Sequence, residues 1–279
     1  MTDSRAPATT TASIRERLSR AVVAPLAALR WSYVPLLMIY FAYGALGLIA
    51  VADSFWVKTA LDLSAVDLAR LGVWLTLPWA IKMVFGELVD TLPILGSQRR
   101  VYVFIGAGLI ALSLVMLAGA AGGWLTFATP SQLYIAASLL SVTGVVLQDV
   151  VADAMSTEVV ARTLPDGTPR NSADIDHDLG MVQVLGRLAL SFGIFATAGL
   201  AGLLAQWLAY ETVFLIGLVV PAISASGAAL VRLETSERRP TDWRLLGAGL
   251  AFGAVVTALL IADIAFAQEL VLAISLAVI

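Results

Sequence analysis

The sequence predicts an all-α polytopic membrane protein, and three observations lead to this prediction. Of the 279 residues, 59% are hydrophobic and only 13% are charged, against roughly 25% charged residues in soluble domains. Apolar runs recur along the chain, and several reach the length of about 20 residues that a helix needs to cross a bilayer. Lys and Arg are concentrated in alternate segments between these runs, as is typical of cytoplasmic loops.

Seven complete spans are predicted, and an eighth apolar run begins near residue 269 and continues to Ile279. Thirteen of the 17 Lys and Arg residues lie in the N-terminal tail and in the loops after spans two, four and six. Only Lys58 and Arg70 lie in the other loops. The N-terminus is therefore predicted to be cytoplasmic, and the alanine-rich composition suits a bacterial inner membrane. The predicted spans are 33–52, 69–89, 101–121, 132–152, 180–206, 212–231 and 245–263.

Polar segments divide the chain into four predicted parts. Residues 1–32 are expected to form a cytoplasmic tail or a basic helix on the membrane surface, and residues 33–233 a six-helix transmembrane bundle. Residues 234–244 are interpreted as a cytoplasmic linker, and residues 245–279 as the start of a second transmembrane half. Two alternatives are expected for this half: it continues in a longer protein, or the chain has lost transport and serves another role.

Four charged residues lie inside the predicted spans. They are Lys82 in span two, Asp149 and Asp153 in span four, and Arg187 in span five. A charge at the centre of a membrane helix costs about 2.5–3.5 kcal/mol on insertion scales, so each needs a partner or a water-filled cavity. The four residues are expected either to form a cytoplasmic gate network or to contact a substrate or proton directly.

Asp149 and Asp153 are four residues apart and share one helix face. Two adjacent carboxylates resist double ionisation, so one could carry a coupling proton. In the alternative, both carboxylates pair with a neighbouring cation and hold helices together. Trp79 lies one turn before Lys82 and is expected either to stack on a planar ligand or to serve in packing.

A polar turn follows span two and contains Gly86, Asp90, Gly96, Arg99 and Arg100. Lys82, Gly86 and Asp90 are spaced by four and share one helix face. Gly86 is expected to allow a neighbouring helix to approach closely. Asp90 is expected to face both arginines across the turn.

Other classes of function are not supported by the sequence. Without cysteine, the chain has no thiol catalysis and no cysteine metal site. The single histidine, His177, is interpreted as a solvated loop residue. No phosphate loop, zinc motif or nucleophile elbow is present, and no basic patch suggests nucleic-acid binding. We therefore expect no enzyme activity, no cofactor and no metal.

Three motifs carry a resemblance to a known family. The helix-two turn resembles that of the major facilitator superfamily, and its fuller form is similar to the folate–biopterin transporter family. Within QDVVADAMSTEVV, residues 148–160, the positions Asp149, Asp153, Ala154 and Glu158 resemble that family's fourth helix. Gly180, Gln183 and Arg187 resemble the start of its fifth helix. The positions matched in the first motif are Pro78, Trp79, Lys82, Gly86, Asp90, Pro93, Ile94, Gly96, Arg99, Arg100 and Tyr102.

The resemblance covers roughly residues 33–232 and implies a carrier that works by alternating access. Its substrate would be a pterin-like or folate-like organic anion, and its partner the lipid bilayer. Asp149 would accept hydrogen bonds from the pterin, Lys82 or Arg187 would meet a glutamyl carboxylate, and Asp90, Arg99 and Arg100 would form a cytoplasmic latch. The alternative is a non-transporting subunit that packs against other membrane proteins as a scaffold or assembly factor of a larger membrane complex, such as a photosynthetic one.

Overall fold

The structure is a computed structural model that describes residues 23–61, 63–230 and 240–261. Within these ranges, six helical segments are long and apolar enough to cross a membrane. This finding confirms the all-α polytopic class and the first six predicted spans. The segments, called spans 1 to 6 in chain order, are Trp31–Ala60, Ala65–Thr91, Arg100–Ala121, Pro130–Glu158, Ser172–Trp207 and Tyr210–Leu230.

Spans 3, 4 and 5 are single helices, whereas the other three spans are assembled from shorter pieces. Span 1 consists of 3-10 turns at Trp31–Tyr33 and Leu46–Ile49 and α-helices at Val34–Ala45 and Ala50–Ala60. Span 2 consists of Ala65–Ala80 and Lys82–Thr91, and span 6 of Tyr210–Gly217 and Val219–Leu230. The described residues also form the helices Ala24–Ala27 and Trp243–Ile261.

Spans 2 and 4 begin with capping boxes at the same end of the bundle. The Ser64 hydroxyl accepts a hydrogen bond from the Asp67 amide, while the Asp67 carboxylate accepts one from the Ser64 amide. Thr129 and Gln132 make the same reciprocal pair at the start of span 4. Each box satisfies amides that have no partner within the helix, so the local sequence fixes where these spans begin.

The break in span 2 occurs at Ile81, where φ is −98° and ψ is 19°. Pro78 lies three residues earlier, inside the helix. Proline has no amide hydrogen and its ring crowds the turn before it, whereas the break lies after Pro78, where the Ile81 amide still donates to the Leu77 carbonyl. Lys82 therefore begins a new helix directly after the break.

Glycines allow the closest helix approaches, which join span 1 to span 5 and span 3 to span 4. A methyl group on Gly193 would meet the Phe41 carbonyl oxygen and lie 2.9 Å from the Ala45 nitrogen. A methyl group on Gly106 would lie 2.8 Å from the Gly144 carbonyl oxygen. These backbones touch only because no side chain intervenes.

Gly86 does not have this role. A methyl group at this position would lie 4.0 Å from Val150 Cγ1, which is an ordinary van der Waals distance. The expectation that Gly86 allows an unusually close approach is therefore wrong. Span 4 presents the branched side chain of Val150 here, and that side chain keeps the two backbones apart.

The helix Trp243–Ile261 packs against the second half of span 2. A methyl group on Gly249 would collide with Val84, and the Asp242 amide donates a 2.6 Å hydrogen bond to Glu87 Oε1. Its apolar stretch Trp243–Val255 is shorter than a full crossing, so the seventh span stays a prediction. The predicted surface helix up to residue 22, most of the linker (residues 231–239) and the run from 262 to 279 lie outside the described residues.

The crossing of spans 1 and 5 predicts a position-specific effect of adding one methyl group. Gly193→Ala should lower the free energy of unfolding by about 1–3 kcal/mol, because the methyl group meets backbone atoms that no rotamer change can move. The measurement is thermal unfolding in mild detergent, followed by tryptophan fluorescence.

Gly199→Ala is the matched control, since it lies in the same helix with no atom within 4 Å of the added methyl group. Alanine is favoured over glycine in a helix by about 1 kcal/mol, so this variant should be at least as stable as the parent. Equal melting temperatures for the two variants would contradict the proposed close contact.

Candidate functional site

Lys82 forms the centre of a charged cluster that joins three spans. Its ammonium donates to Asp149 Oδ2 at 2.6 Å and to Asp153 Oδ2 at 2.8 Å. The Tyr40 hydroxyl of span 1 donates to Asp153 Oδ1 at 3.3 Å. We call these four residues the Lys82 cluster. The Asp149 side chain is 13% exposed, whereas the Lys82 and Asp153 side chains are 35% and 49% exposed, so the cluster is open on one side.

Local structure explains this arrangement. The four-residue spacing places both carboxylates on one face of span 4, and the break at Ile81 places Lys82 at the start of a helix that packs against them. One ammonium is thus shared by two carboxyl groups. Both carboxylates are thus paired with a cation, which is one of the two arrangements that the sequence allowed, while their role in transport stays a prediction.

A small cavity lies beside Asp149, between spans 1, 3, 4 and 6. Tyr40 and Tyr43 line it on one side, and Gln148 and Ser224 on another. Gln148 Nε2 donates to Ser224 Oγ at 2.8 Å, so this wall is already satisfied by hydrogen bonds. The cavity has room for about one water molecule, which is too small for a pterin. A larger ligand would therefore have to approach from the exposed side of the Lys82 cluster.

Arg187 lies apart from the ion pairs of the Lys82 cluster. It is exposed on span 5, one residue after Gly186, where a methyl group would lie 2.8 Å from the Tyr40 ring. Among the described residues, none forms an ion pair or hydrogen bond with its guanidinium. Gly186 packs against the Tyr40 ring, so the Arg187 backbone lies one residue from a contact with the cluster. Trp79, which is 38% exposed, lies in the helix that ends just before the break.

A second cluster, formed by Arg99, Asp90 and Glu158, joins spans 2, 3 and 4. Arg99 Nη1 donates to Asp90 Oδ1 at 2.7 Å and to the Val89 carbonyl at 2.9 Å. Its Nε and Nη2 donate to Glu158 Oε1 at 3.0 and 2.6 Å. The Arg99 residue is only 9% exposed. The Arg99 guanidinium thus bonds to Asp90 and to Glu158 at the same time. In this Arg99 cluster it holds the turn between spans 2 and 3 against span 4.

Arg100 does not contribute to this cluster. Its guanidinium carbon lies 5.8 Å from the centre of the Phe104 ring, and the residue is exposed. The expectation that Asp90 faces both arginines is therefore wrong. Arg99 precedes the helix, which begins at Arg100, so the two side chains point in different directions and only Arg99 reaches the carboxylate. Gly96 belongs to the turn itself, where its φ of +78° is a conformation that favours glycine.

The sequence left several contacts unpredicted. Glu158 was matched within the span-four motif but not paired with Arg99, and Tyr40 carried no signal beyond an apolar helix. Gln183 donates to Ser156 at 2.7 Å and ties span 5 to span 4. His177 is exposed as predicted, but it lies within the helix of span 5 and not in a loop.

A third ion-pair group lies at the start of span 5. Asp178 is 3.1 Å from Arg30 Nη2 and 2.8 Å from Arg170 Nη2. Arg170 also donates to the Ala161 carbonyl at 2.8 Å. These pairs tie the residues before span 1 and the loop between spans 4 and 5 to one helix. Their place outside the apolar centre of the bundle indicates a role in holding the chain together.

The unequal contacts of the two arginines predict unequal effects on stability. Arg99→Gln should lower the free energy of unfolding by about 3 kcal/mol, because it leaves partly buried Asp90 and Glu158 without their cation. Arg100→Gln, an equal change of charge at an exposed position, should stay within about 0.5 kcal/mol of the parent. Thermal unfolding of both variants in one detergent tests this, and similar losses in the two would count against the cluster as described.

The chain was compared with known protein families and curated proteins. Residues 43–268 match the BT1 family model. The chain is 30% identical over 208 residues to a folate-biopterin transporter of Synechocystis sp., an alignment that covers 74% of this chain and 38% of that protein. It is 28% identical over 204 residues to the probable folate-biopterin transporter 4 of Arabidopsis thaliana, covering 73% and 38% of the two chains.

The chain thus spans 38% of the length of each of these curated relatives. No solved structure matches it significantly. The family match includes the Arg99 cluster, all of the Lys82 cluster except Tyr40, and Arg187. Since the match extends over most of the sequence, the chain belongs to the BT1 family.

Proposed function

We propose that this chain is a secondary membrane transporter, or part of one, that carries a pterin-like or folate-like organic anion by alternating access. Its membership of the BT1 family and the names of its relatives support this proposal. The observation that carries it is the Lys82 cluster. Charged groups inside membrane helices cost free energy, and where they occur they commonly mark the pathway of a substrate or an ion. Nothing in the sequence or in these matches favours an enzyme.

The depth of the charged groups suits a binding site. At 1.5 Å per residue, Lys82 lies roughly 13 Å from the Thr91 end of span 2, and Asp149 the same distance from the Glu158 end of span 4. Arg187 lies roughly 22 Å into span 5. All three therefore lie within the bilayer, out of reach of charged residues in the loops. There they would offer a polar substrate hydrogen-bond and ion-pair partners that the rest of the bundle does not provide.

Charge accounting assigns different parts of the substrate to different residues. Lys82 is already shared by two carboxylates, so Arg187 is the better cation for a glutamyl carboxylate. The exposed side of Asp149 and Asp153 offers acceptor oxygens for the amino group and ring N–H of a pterin. Trp79 presents an indole at the break in span 2, on which a planar ring could stack.

The Arg99 cluster is proposed as a latch at the end where span 2 meets span 3. It fixes the turn to span 4 through one buried guanidinium, so a change in the position of span 2 or span 4 must break these hydrogen bonds. The Lys and Arg distribution predicts that this end is cytoplasmic. From the alanine-rich composition we propose a bacterial inner membrane. We also propose that residues 33–233 form the first half of a major-facilitator-type fold, and residues from 245 onwards the beginning of its second half.

The non-transporting scaffold is the second function that the sequence suggested. The family match and both named relatives point to transport and do not favour the scaffold. No contact among the described residues favours it either. We therefore propose transport alone.

Asp149→Asn tests the recognition of the pterin ring. The variant keeps the Lys82–Asp153 pair, so the fold should remain stable, but it loses one charged hydrogen-bond acceptor. Because a hydrogen bond to a charged group contributes about 1.5–3 kcal/mol, uptake of folate and of biopterin should both fall roughly 10- to 100-fold. Radiolabelled uptake into cells measures this, with the amount of protein in the membrane as control. Unchanged uptake of both compounds would argue against Asp149 as a ligand.

Arg187→Gln tests the recognition of the glutamyl carboxylate and should separate the two compounds. Folate carries this carboxylate and biopterin does not, so folate uptake should fall roughly tenfold or more while biopterin uptake stays near the parent level. Arg100→Gln is the matched control, with the same loss of charge at an exposed position away from the site. Equal losses for both compounds in the Arg187 variant would show that the residue supports the fold or the transport cycle and does not read the anion.

A further inference from the structure

Tyr40 is the uncharged member of the Lys82 cluster, and it is contributed by span 1. The residue is only 4% exposed, and its hydroxyl donates a hydrogen bond to Asp153 Oδ1 at 3.3 Å. A neutral phenol does not balance the charge of a carboxylate. Its contribution to the cluster is therefore the direction that its hydrogen bond gives to the Asp153 side chain.

The Asp153 carboxyl group is held from two sides. Lys82 donates to Oδ2 at 2.8 Å, while Tyr40 donates to Oδ1. The Asp153 side chain is 49% exposed, and an exposed side chain rotates freely unless hydrogen bonds hold it. A carboxylate offers about four acceptor positions, so positions remain for a ligand, and the two donors determine the direction in which these positions point.

Span 5 holds the Tyr40 ring in place. A methyl group on Gly186 would lie 2.8 Å from Tyr40 Cε2 and 2.9 Å from Cδ2, so the ring packs directly on the backbone of span 5. Gly193 lies about two turns further along the same helix face and packs on the backbone of span 1. This second contact keeps the two helices at the separation that the Tyr40 ring fills.

The same turn of span 5 carries Arg187, the residue directly after Gly186. The Tyr40 ring therefore lies between the backbone that carries Arg187 and the carboxyl group of Asp153. An aromatic ring is rigid, so one contact on each side of it fixes the position of Asp153 relative to that turn of span 5. A ligand that meets both charged residues needs this separation to be constant.

The small cavity beside Asp149 gives the Tyr40 ring room to move, because Tyr40 lines this cavity. A methyl group on Gly186 would meet only side-chain atoms of the ring, whereas one on Gly193 would meet backbone atoms. We therefore expect the ring to yield to a methyl group at position 186 by turning towards the cavity. Its hydroxyl would then leave Asp153 while the two helices stay together.

We propose that Tyr40 is the positioning residue of the Lys82 cluster: Gly186 holds its ring, and its hydroxyl fixes the orientation of Asp153. The second part of this proposal rests on the proposed transport function. There the fixed orientation sets the affinity for the pterin ring, because a group that is already oriented binds without the entropic cost of ordering it. Tyr40 acts through Asp153 and does not itself contact the ligand.

The first test is the initial rate of uptake of labelled biopterin into cells, measured against biopterin concentration and normalised to the protein in the membrane. Tyr40→Phe removes only the hydroxyl, so KM should rise roughly three- to tenfold, as the loss of one hydrogen bond predicts. The maximal rate per protein molecule should stay within about twofold of the parent, since the transport cycle is not altered. A parent KM with a lower maximal rate would mark a structural role and overturn the proposal.

Gly186→Ala gives a second reading that retains the Tyr40 hydroxyl but displaces the ring. Its KM should rise to the same extent, and the double variant with Tyr40→Phe should show no further rise, because both changes remove the same hydrogen bond. Gly199→Ala is the matched control, since no atom lies within 4 Å of the added methyl group, and it should keep the parent KM. An unchanged KM in Gly186→Ala, or effects that multiply in the double variant, would overturn the proposed role of the ring.

Thermal unfolding in mild detergent tests the contact without any substrate. Tyr40→Phe and Asp153→Asn remove the two ends of one hydrogen bond, so the double variant should lose less melting temperature than the sum of the two single losses. Additive losses would overturn the contact, whatever the uptake. If the parent takes up neither folate nor biopterin but the losses are not additive, the positioning of Asp153 by Tyr40 stands and the proposed transport function fails.

Discussion

The ion pairs of Lys82 with Asp149 and Asp153 are the interaction on which the rest of the bundle depends. Three charges inside membrane helices can persist only if they meet, because the bilayer offers no water to replace a missing partner. Their meeting fixes the rotation of span 2 about its axis, the face that span 4 presents and the position of Tyr40 on span 1. The break at Ile81 serves the same end, since it places Lys82 at the beginning of a separate short helix.

The two ends of the bundle are built on different physical grounds. At the Arg99 end, a buried guanidinium joins three spans through charged hydrogen bonds, and the Asp178 pairs tie in a fourth. At the other end, the spans are held by capping boxes and by aromatic packing around Trp56, whose ring meets Tyr134 and Phe214 edge to face. A polar latch can be opened by exchanging its partners, whereas an apolar cluster opens only by exposing its surface. The proposed gate follows this division.

Backbone contact fixes the frame that carries these charges. Gly44 and Gly193 bring spans 1 and 5 together, and Gly106 and Gly144 do the same for spans 3 and 4. Span 2 crosses span 4 with no such contact, since Gly86 faces Val150 at an ordinary distance. Two closely packed pairs of helices, spans 1 and 5 and spans 3 and 4, thus lie beside a looser contact between spans 2 and 4. Lys82 faces Asp149 across that looser contact. The proposed transport function needs both properties, a stable frame and an element that can move within it.

The sequence alone determined the membrane class, the first six spans and the charged residues that lie within them, because hydrophobic length and the positions of charged residues are local properties of the chain. Its motifs also identified the family before any contact was known. Tertiary structure decided the partners: that Lys82 meets both aspartates, that Arg99 and not Arg100 reaches Asp90, and that Glu158 completes that cluster. Pairing depends on helix rotation and on the height at which helices cross, and these are set by contacts between residues more than a hundred positions apart, such as Tyr40 and Asp153. A periodic sequence pattern shows which face of a helix is buried, but it does not show which other helix packs against that face.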